Sequence, residues 1–295
     1  MRSSVGFFMV RSGLLAIACL TFATSAFPLA AGNMASAESL YTHTDYEGSL
    51  ALLDKHSGDP RINFLIGRDY FMLADFKKSS EYLQKATEGA PGNSEYMDWL
   101  GRALGKRAET SNPILAPALA SKARQAFERA VELNPKNSDA LSDLFDYYLE
   151  APGFLGGGFD KASRIADQIA VIDPSEGYFE KARLAQDRKE YQRAEEQLRQ
   201  AVAVAPRSIG QLIELAKFLA KQGRTHESDA VLEEVRNSAP DSPRVWFAQA
   251  DIYIKQKRNL NEAKNLLEKY LQAPITVDDP SKEEALRLLK QAGGV

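Results

Sequence analysis

Residues 60–93 read PRINFLIGRDYFMLADFKKSSEYLQKATEGAPGN. Two amphipathic segments lie inside this stretch. The first carries Ile66, Gly67 and Tyr70, and the second carries Ser79, Leu83 and Ala86. Apolar and small residues at three- and four-residue spacing share one face of a helix. Pro91 closes the second segment, because proline lacks an N–H and disfavours a helical residue before it. Gly67 and Ser79 are small enough to let the two helix backbones approach closely. The stretch therefore predicts a packed pair of antiparallel helices.

The same design recurs along the chain. Pro91, Pro135, Pro174, Pro206, Pro240 and Pro274 each end a helical pattern, as in ATEGAP (86–91), AVELNP (130–135), AVAVAP (201–206) and VRNSAP (235–240). Pro206, Pro240 and Pro274 stand 34 residues apart. Small residues twelve apart return as Ala182 with Ala194, and as Ala216 with Ser228. A fixed period of this length marks a repeat architecture, in which stacked units bury a face that none could bury alone.

These features resemble the tetratricopeptide repeat, a helix pair of about 34 residues with small residues at the helix crossing, an aromatic one turn later and a closing proline. Six units fit: 60–93, 94–137, 138–174, 175–208, 209–242 and 243–275. The resemblance implies an all-α, right-handed solenoid. A capping segment precedes the units over 38–59, with a helix from Asp45 to Lys55 that looks like half a unit. A capping helix follows over 276–295, with Ser281 as N-cap, Glu284 as its capping-box partner and Gly293 past its end. The pattern has departures: Phe145 replaces a small crossing residue, Ile169 and Tyr270 replace the late alanine, and Trp246 is the only tryptophan near the start of a first helix.

Two units are longer than the rest. The small-residue spacing of twelve grows to 22 from Gly101 to Ala123, and to 17 from Phe145 to Ala162. Both insertions fall at the turn between the helices of a unit. They are GKRAETSNPILAPALAS (105–121) and the glycine-rich YYLEAPGFLGGGFDKA (147–162). Equivalent turns of stacked units line one edge, so the insertions should be neighbours, and such an edge often binds partners. In the second insertion, Ala151-Pro152-Gly153-Phe154 suits a type II turn, and Asp160 an N-cap. Either the loop is a long turn packed by Phe154, Leu155 and Phe159, or those residues with Gly156, Gly157 and Gly158 form a contact edge for a protein partner. A phosphate cradle lacks its G-K-[ST] sequence, and Asp160 sets a carboxylate where the anion would sit.

The resemblance also implies that first helices line a concave groove. Phe64, Arg68, Arg102, Asp146, Phe179, Arg183, Lys217 and Phe247 are its candidate contacts, with Asp251 completing the charged series. Basic side chains interleaved with phenylalanines would suit a peptide carrying acidic and apolar groups. The Lys/Asn carboxylate clamp of chaperone-binding relatives is absent from these positions.

The first 37 residues read differently. Arg2 and Arg11 precede the apolar run GLLAIACLTFA (13–23), and Ala35-Ser36-Ala37 precedes Glu38, the first acidic residue. Basic, apolar and then A-x-A predicts a secretory signal peptide cut after Ala37, with Ala26 as a rival site. A lipid anchor on Cys19 fits less well, because the segment beyond it stays apolar. An uncleaved anchor over 13–31 is the other alternative. The expected location is the periplasm or cell envelope, and without Cys19 the chain has no cysteine for a disulfide.

Charge and motifs narrow the function classes. The 295-residue chain has 37 basic and 40 acidic residues, net −3, without the basic excess typical of nucleic-acid binders. His43, His56 and His226 are not at metal-ligand spacing, and no H-E-x-x-H, G-x-S-x-G or Walker sequence occurs. The sequence therefore predicts a non-catalytic interaction scaffold without cofactor or metal. A small-ligand or cell-wall-glycan binder using the glycine-rich loop is the alternative.

Overall fold

A computed structural model describes residues 27–277 and 279–293, and all the regular structure among them is helical. The helices are α1 (Phe27–Thr42), α2 (Tyr46–Leu52), α3 (Pro60–Met72), α4 (Phe76–Gly89), α5 (Ser94–Thr110), α6 (Ala116–Leu133), α7 (Ser138–Glu150) and α8 (Phe159–Ile172). They continue as α9 (Pro174–Asp187), α10 (Tyr191–Val204), α11 (Ile209–Lys221), α12 (Thr225–Ser238), α13 (Pro243–Lys255), α14 (Leu260–Gln272) and α15 (Lys282–Gly293). Consecutive helices pair in sequence from α1/α2 to α13/α14, and α15 packs on α14.

Local chemistry sets the ends of these helices. Asn93, Asn137 and Asp173 each accept backbone N–H groups from the first turn of the helix that follows. The crossings are close because their residues are small. Ala182, Ala194, Ala216, Ser228, Ala250 and Ala263 are fully buried. Ser228 Oγ donates to the Ala216 carbonyl at 2.8 Å, tying one crossing with a hydrogen bond. A Cβ added to Gly67 would lie 2.6 Å from Leu83 Cγ, so α3 and α4 could not pack as they do with alanine there. Serines that open first helices add a second tie. Ser94 and Ser175 donate to the carbonyls of Ala130 and Ala201, late in the second helix of the same unit.

Several expectations change at the ends and in the long units. The N-terminal segment is a complete helix pair, α1/α2, rather than one helix. Ala37, the expected cleavage position, lies inside α1 and is fully buried beside Tyr41, Leu50, Leu53, Leu65 and Ile66. Residues 1–26, with Cys19 and Ala26, lie outside the described residues. At the other end Ser281 caps α15 as expected, but the Glu284 carboxylate pairs with Arg287 at 3.3 Å, and α15 runs through Gly293. The insertion of the 94–137 unit forms extra helical turns: α5 and α6 have 17 and 18 residues, against 13 and 14 in α3 and α4. Phe145, which departs from the small-residue pattern, is accommodated fully buried opposite Ala162.

Candidate functional site

The groove residues largely satisfy one another. Arg68 lies over Tyr41 at 4.1 Å, with the ring centroids of Trp99 at 4.9 Å and Phe64 at 5.4 Å. Arg102 lies on Trp99 at 4.8 Å. Cations and rings thus alternate across the first units, and each cation–π contact contributes about 0.5–2 kcal/mol. Arg102 also pairs with Asp98 at 3.0 Å and, through Nε, with Asp143. Arg183 is bracketed by Asp146 at 2.5 Å and Glu180 at 3.0 Å. Lys217 meets Glu214 at 2.8 Å, and Lys255 meets Asp251 at 2.7 Å.

Each groove base except Arg68 has a carboxylate partner, and Arg68 is boxed by rings. The pairs Asp98 with Arg102 and Glu180 with Arg183 are at helical spacing and were readable in the sequence, whereas the contacts of Arg102 with Asp143 and of Arg183 with Asp146 join first helices of successive units and were not. Two groove phenylalanines are also internal. Phe64 stacks on Tyr96 with centroids 4.3 Å apart, and Phe247 packs on Tyr270 at 5.2 Å. Both are buried, while Phe179 is half-buried.

Burial controls the charge of this network. Asp98 is 1% exposed, and loss of solvent pushes its carboxyl above the usual carboxylate range, partly opposed by Arg102. Glu180 is pushed up to about 8, again first by burial. Asp69 is pushed up to about 7 by burial, against the pull of a hydrogen bond from Ser49 Oγ at 2.8 Å.

The glycine-rich edge is built differently from the groove. After α7 the chain forms a single 3-10 turn, Gly153–Leu155, opened by Pro152. The expected type II turn is absent, because positive φ falls at Gly156 (93°) and Gly158 (149°), not at Gly153. Gly157 has no room for a side chain: a Cβ there would penetrate the Ala151 carbonyl oxygen. Gly158 is the N-cap of α8, so Asp160 stands inside the first turn rather than at the cap. The N–H of Gly156 donates to Gly153 O, that of Gly157 to Pro152 O, and that of Gly158 to Tyr148 O at 2.7 Å. All three glycine N–H groups are engaged, so none faces an anion. Tyr147 OH donates to Leu155 O at 2.9 Å and Lys161 Nζ to Gly156 O at 2.7 Å, which pin the loop.

The rigid loop leaves one ring in solvent. Phe154 is 83% exposed, which departs from the packed-turn alternative for this ring and leaves it available as the contact-edge alternative requires. Leu155 and Phe159 are half-buried, and Arg188 lies 4.8 Å from the Phe159 ring. The 3-10 turn packs on α6, and Gly156 approaches the Arg124 side chain, so the second insertion lies against the helix that follows the tip of the first. The tip of the longer one adds Ile114, 88% exposed, and Leu115, 54% exposed, which sequence reading missed. Their signal was present in SNPIL (111–115), two large apolar residues after a proline turn.

Comparison with known proteins agrees with this architecture. Residues 185–252 match one tetratricopeptide-repeat family model, and residues 243–273 match another. The fold is that of a tetratricopeptide-repeat solenoid. A tetratricopeptide-repeat protein from Parabacteroides merdae superposes with a TM-score of 0.57 at 14% identity, covering 90% of this chain and 99% of that one. A thermophilic tetratricopeptide-repeat protein from Thermus thermophilus gives 0.53 at 18% identity, covering 64% and 98%. Among curated sequences, the human Protein O-mannosyl-transferase TMTC3 is 26% identical over 151 residues, which is 50% of this chain but only 16% of that protein.

Proposed function

We propose that this protein is a non-catalytic interaction scaffold whose partner docks on the edge formed by the two insertions. The observation that carries this is the exposed, rigidly mounted Phe154, with Ile114 and Leu115 on the adjoining helical hairpin. Large apolar side chains left in water on such an edge are candidate points of contact for a partner. Tetratricopeptide repeats generally mediate protein–protein interactions, which sets the class of ligand. The groove is the weaker candidate, because its cations already have carboxylate or aromatic partners. The small-ligand or glycan reading loses its basis in the loop, where the three glycine N–H groups are bonded to backbone carbonyls.

The scaffold reading extends to location. The leader-like sequence over 1–37 supports export to the cell envelope. A cut after Ala37 would divide α1 and remove a fully buried residue, whereas a cut after Ala26 would leave α1 whole. The export reading therefore favours Ala26. N-terminal sequencing of exported protein decides it: Phe27 as first residue agrees, and Glu38 as first residue does not.

The docking reading is tested by affinity capture with the full chain and with Phe154→Ser combined with Ile114→Ser. The expected result is loss of a specific partner with an unchanged melting temperature. Retention of the same partner would remove the edge from consideration.

A further inference from the structure

The two ends of the solenoid meet. After α14 the chain runs through Ile275, Thr276 and Val277, and then through Asp279 to Ser281, into α15. Val277 packs against the first cluster of the molecule, which holds Ala37, Tyr41, Leu50, Leu53, Leu65 and Ile66. Between the ends lies a cavity of about 410 Å³. One wall comes from the α1–α2 turn and the end of α3, including Tyr46, Glu47 and Met72. The other comes from the C-terminal segment, including Ile275, Asp279 and Glu283. The Tyr46 phenol senses the same proximity: it is pushed up to about 12 by burial first, then by Tyr41 and by the Glu283 carboxylate. Six intervening helix pairs pack in order, so an end-to-end contact closes them into a ring.

We propose that the segment around Val277 is a releasable clasp, which closes the solenoid into a ring and opens when its seam charges are unscreened. The apolar attachment is small: among the described residues of this segment Val277 alone packs on the N-terminal cluster, while Ile275 is buried in the C-terminal one. The charge across the seam opposes it. Asp45 and Glu47 on the first units line the same cavity as Asp279 and Glu283 on the last, with Lys282 the one base in its wall among the described residues. Among those residues Asp45 and Asp279 accept hydrogen bonds only from their own turns, so they stand there as carboxylates without a basic partner across the seam. Like charges that approach from sequence-distant segments repel most at low ionic strength. Closure encircles the concave face, so the clasp sets which partners reach it: a folded partner needs the open form, while the edge carrying Phe154 stays available in both. The proposal does not depend on the edge-docking reading, because closure is read without any partner.

The test is energy transfer between dyes on Lys55→Cys and Lys290→Cys in the full chain with Cys19→Ser. Both lysines are exposed, one near each end. Raising salt from about 10 mM to about 150 mM shortens the screening length from about 30 Å to about 8 Å, and transfer should rise. Val277→Asp should lose transfer at both salts, with helicity retained by circular dichroism. Val171→Asp, at a residue 86% exposed, is the control and should match the parent. Glu47→Lys should raise low-salt transfer and flatten the salt response. This arm holds even if Val277→Asp does not fold. Unchanged transfer in folded Val277→Asp would overturn the clasp. A salt-independent parent, or no response to Glu47→Lys, would overturn its electrostatic release.

Discussion

Phe154 and Gly157 are three residues apart, and the structure assigns them opposite sensitivities. Phe154 is largely in water, so Phe154→Ser should change the unfolding free energy by no more than about 0.5 kcal/mol, as is typical of surface substitutions. A fall of several degrees on thermal denaturation would mean the ring is buried. Gly157→Ala should cost roughly 1–3 kcal/mol, because the new methyl overlaps a backbone carbonyl. Gly153→Ala, with open space around its Cα and no positive φ, is the matched control and should be nearly neutral. Asp69 gives a pH signature. Its folded pKa of about 7 lies above the ordinary value of 3.8, so the native state holds the proton more tightly than the unfolded chain. Its contribution is therefore fully present below about pH 4 and is lost as pH rises through about 7. Asp69→Asn, which can still accept from Ser49, should match the parent near pH 4. By pH 8 it should be more stable, by a few kcal/mol at most. Denaturant melts at the two pH values check this, and an equal difference at both would refute it.

Pairs of helices were the most legible level of the sequence. Closing prolines and crossing residues are local, and their physics is local: proline ends a helix, and small residues set how closely two helices approach. Gly177 shows the strength of the second constraint. An added Cβ would overlap the Ala170 Cβ and Cα where α8 meets α9. Gly177→Ala gains about 1 kcal/mol of helix propensity but should lose more to the clash, for a net destabilisation on the order of 1–2 kcal/mol. A stabilised variant in a denaturant melt would contradict the close approach. The location of the insertions was also readable, from the stretched spacing between Gly101 and Ala123. Their conformation was not, because extra helical turns and an irregular loop lengthen that spacing equally. The N-terminal pair escaped for a related reason. The α1 sequence FPLAAGNMASAESLYT lacks a clear apolar stripe, and its small residues also suit a cleavage site.

Across the whole molecule, the sequence carried the repeat but not the partners of its side chains. The bases at Arg68, Arg102 and Arg183 were assigned to one face from the helical spacing of their units. Arg102 and Arg183 meet Asp98 and Glu180 on their own helices, at a spacing the sequence shows, but their contacts with Asp143 and Asp146 depend on the angle between successive units, which no single helix encodes. End-to-end closure is invisible for the same reason, since it sums the rotations of all the units. The groove thus acts as a bonded spine, and the edge of the 94–137 and 138–174 units presents the uncovered apolar side chains. The measurement that tests this division most directly is quantitative affinity capture with the full chain, Phe154→Ser and Arg183→Ala side by side, each compared at its own melting temperature. The account predicts that Phe154→Ser loses the partner while keeping parental stability, and that Arg183→Ala loses stability while folded protein still captures the partner. Capture that survives Phe154→Ser and disappears with folded Arg183→Ala would contradict it, and would return the binding site to the groove.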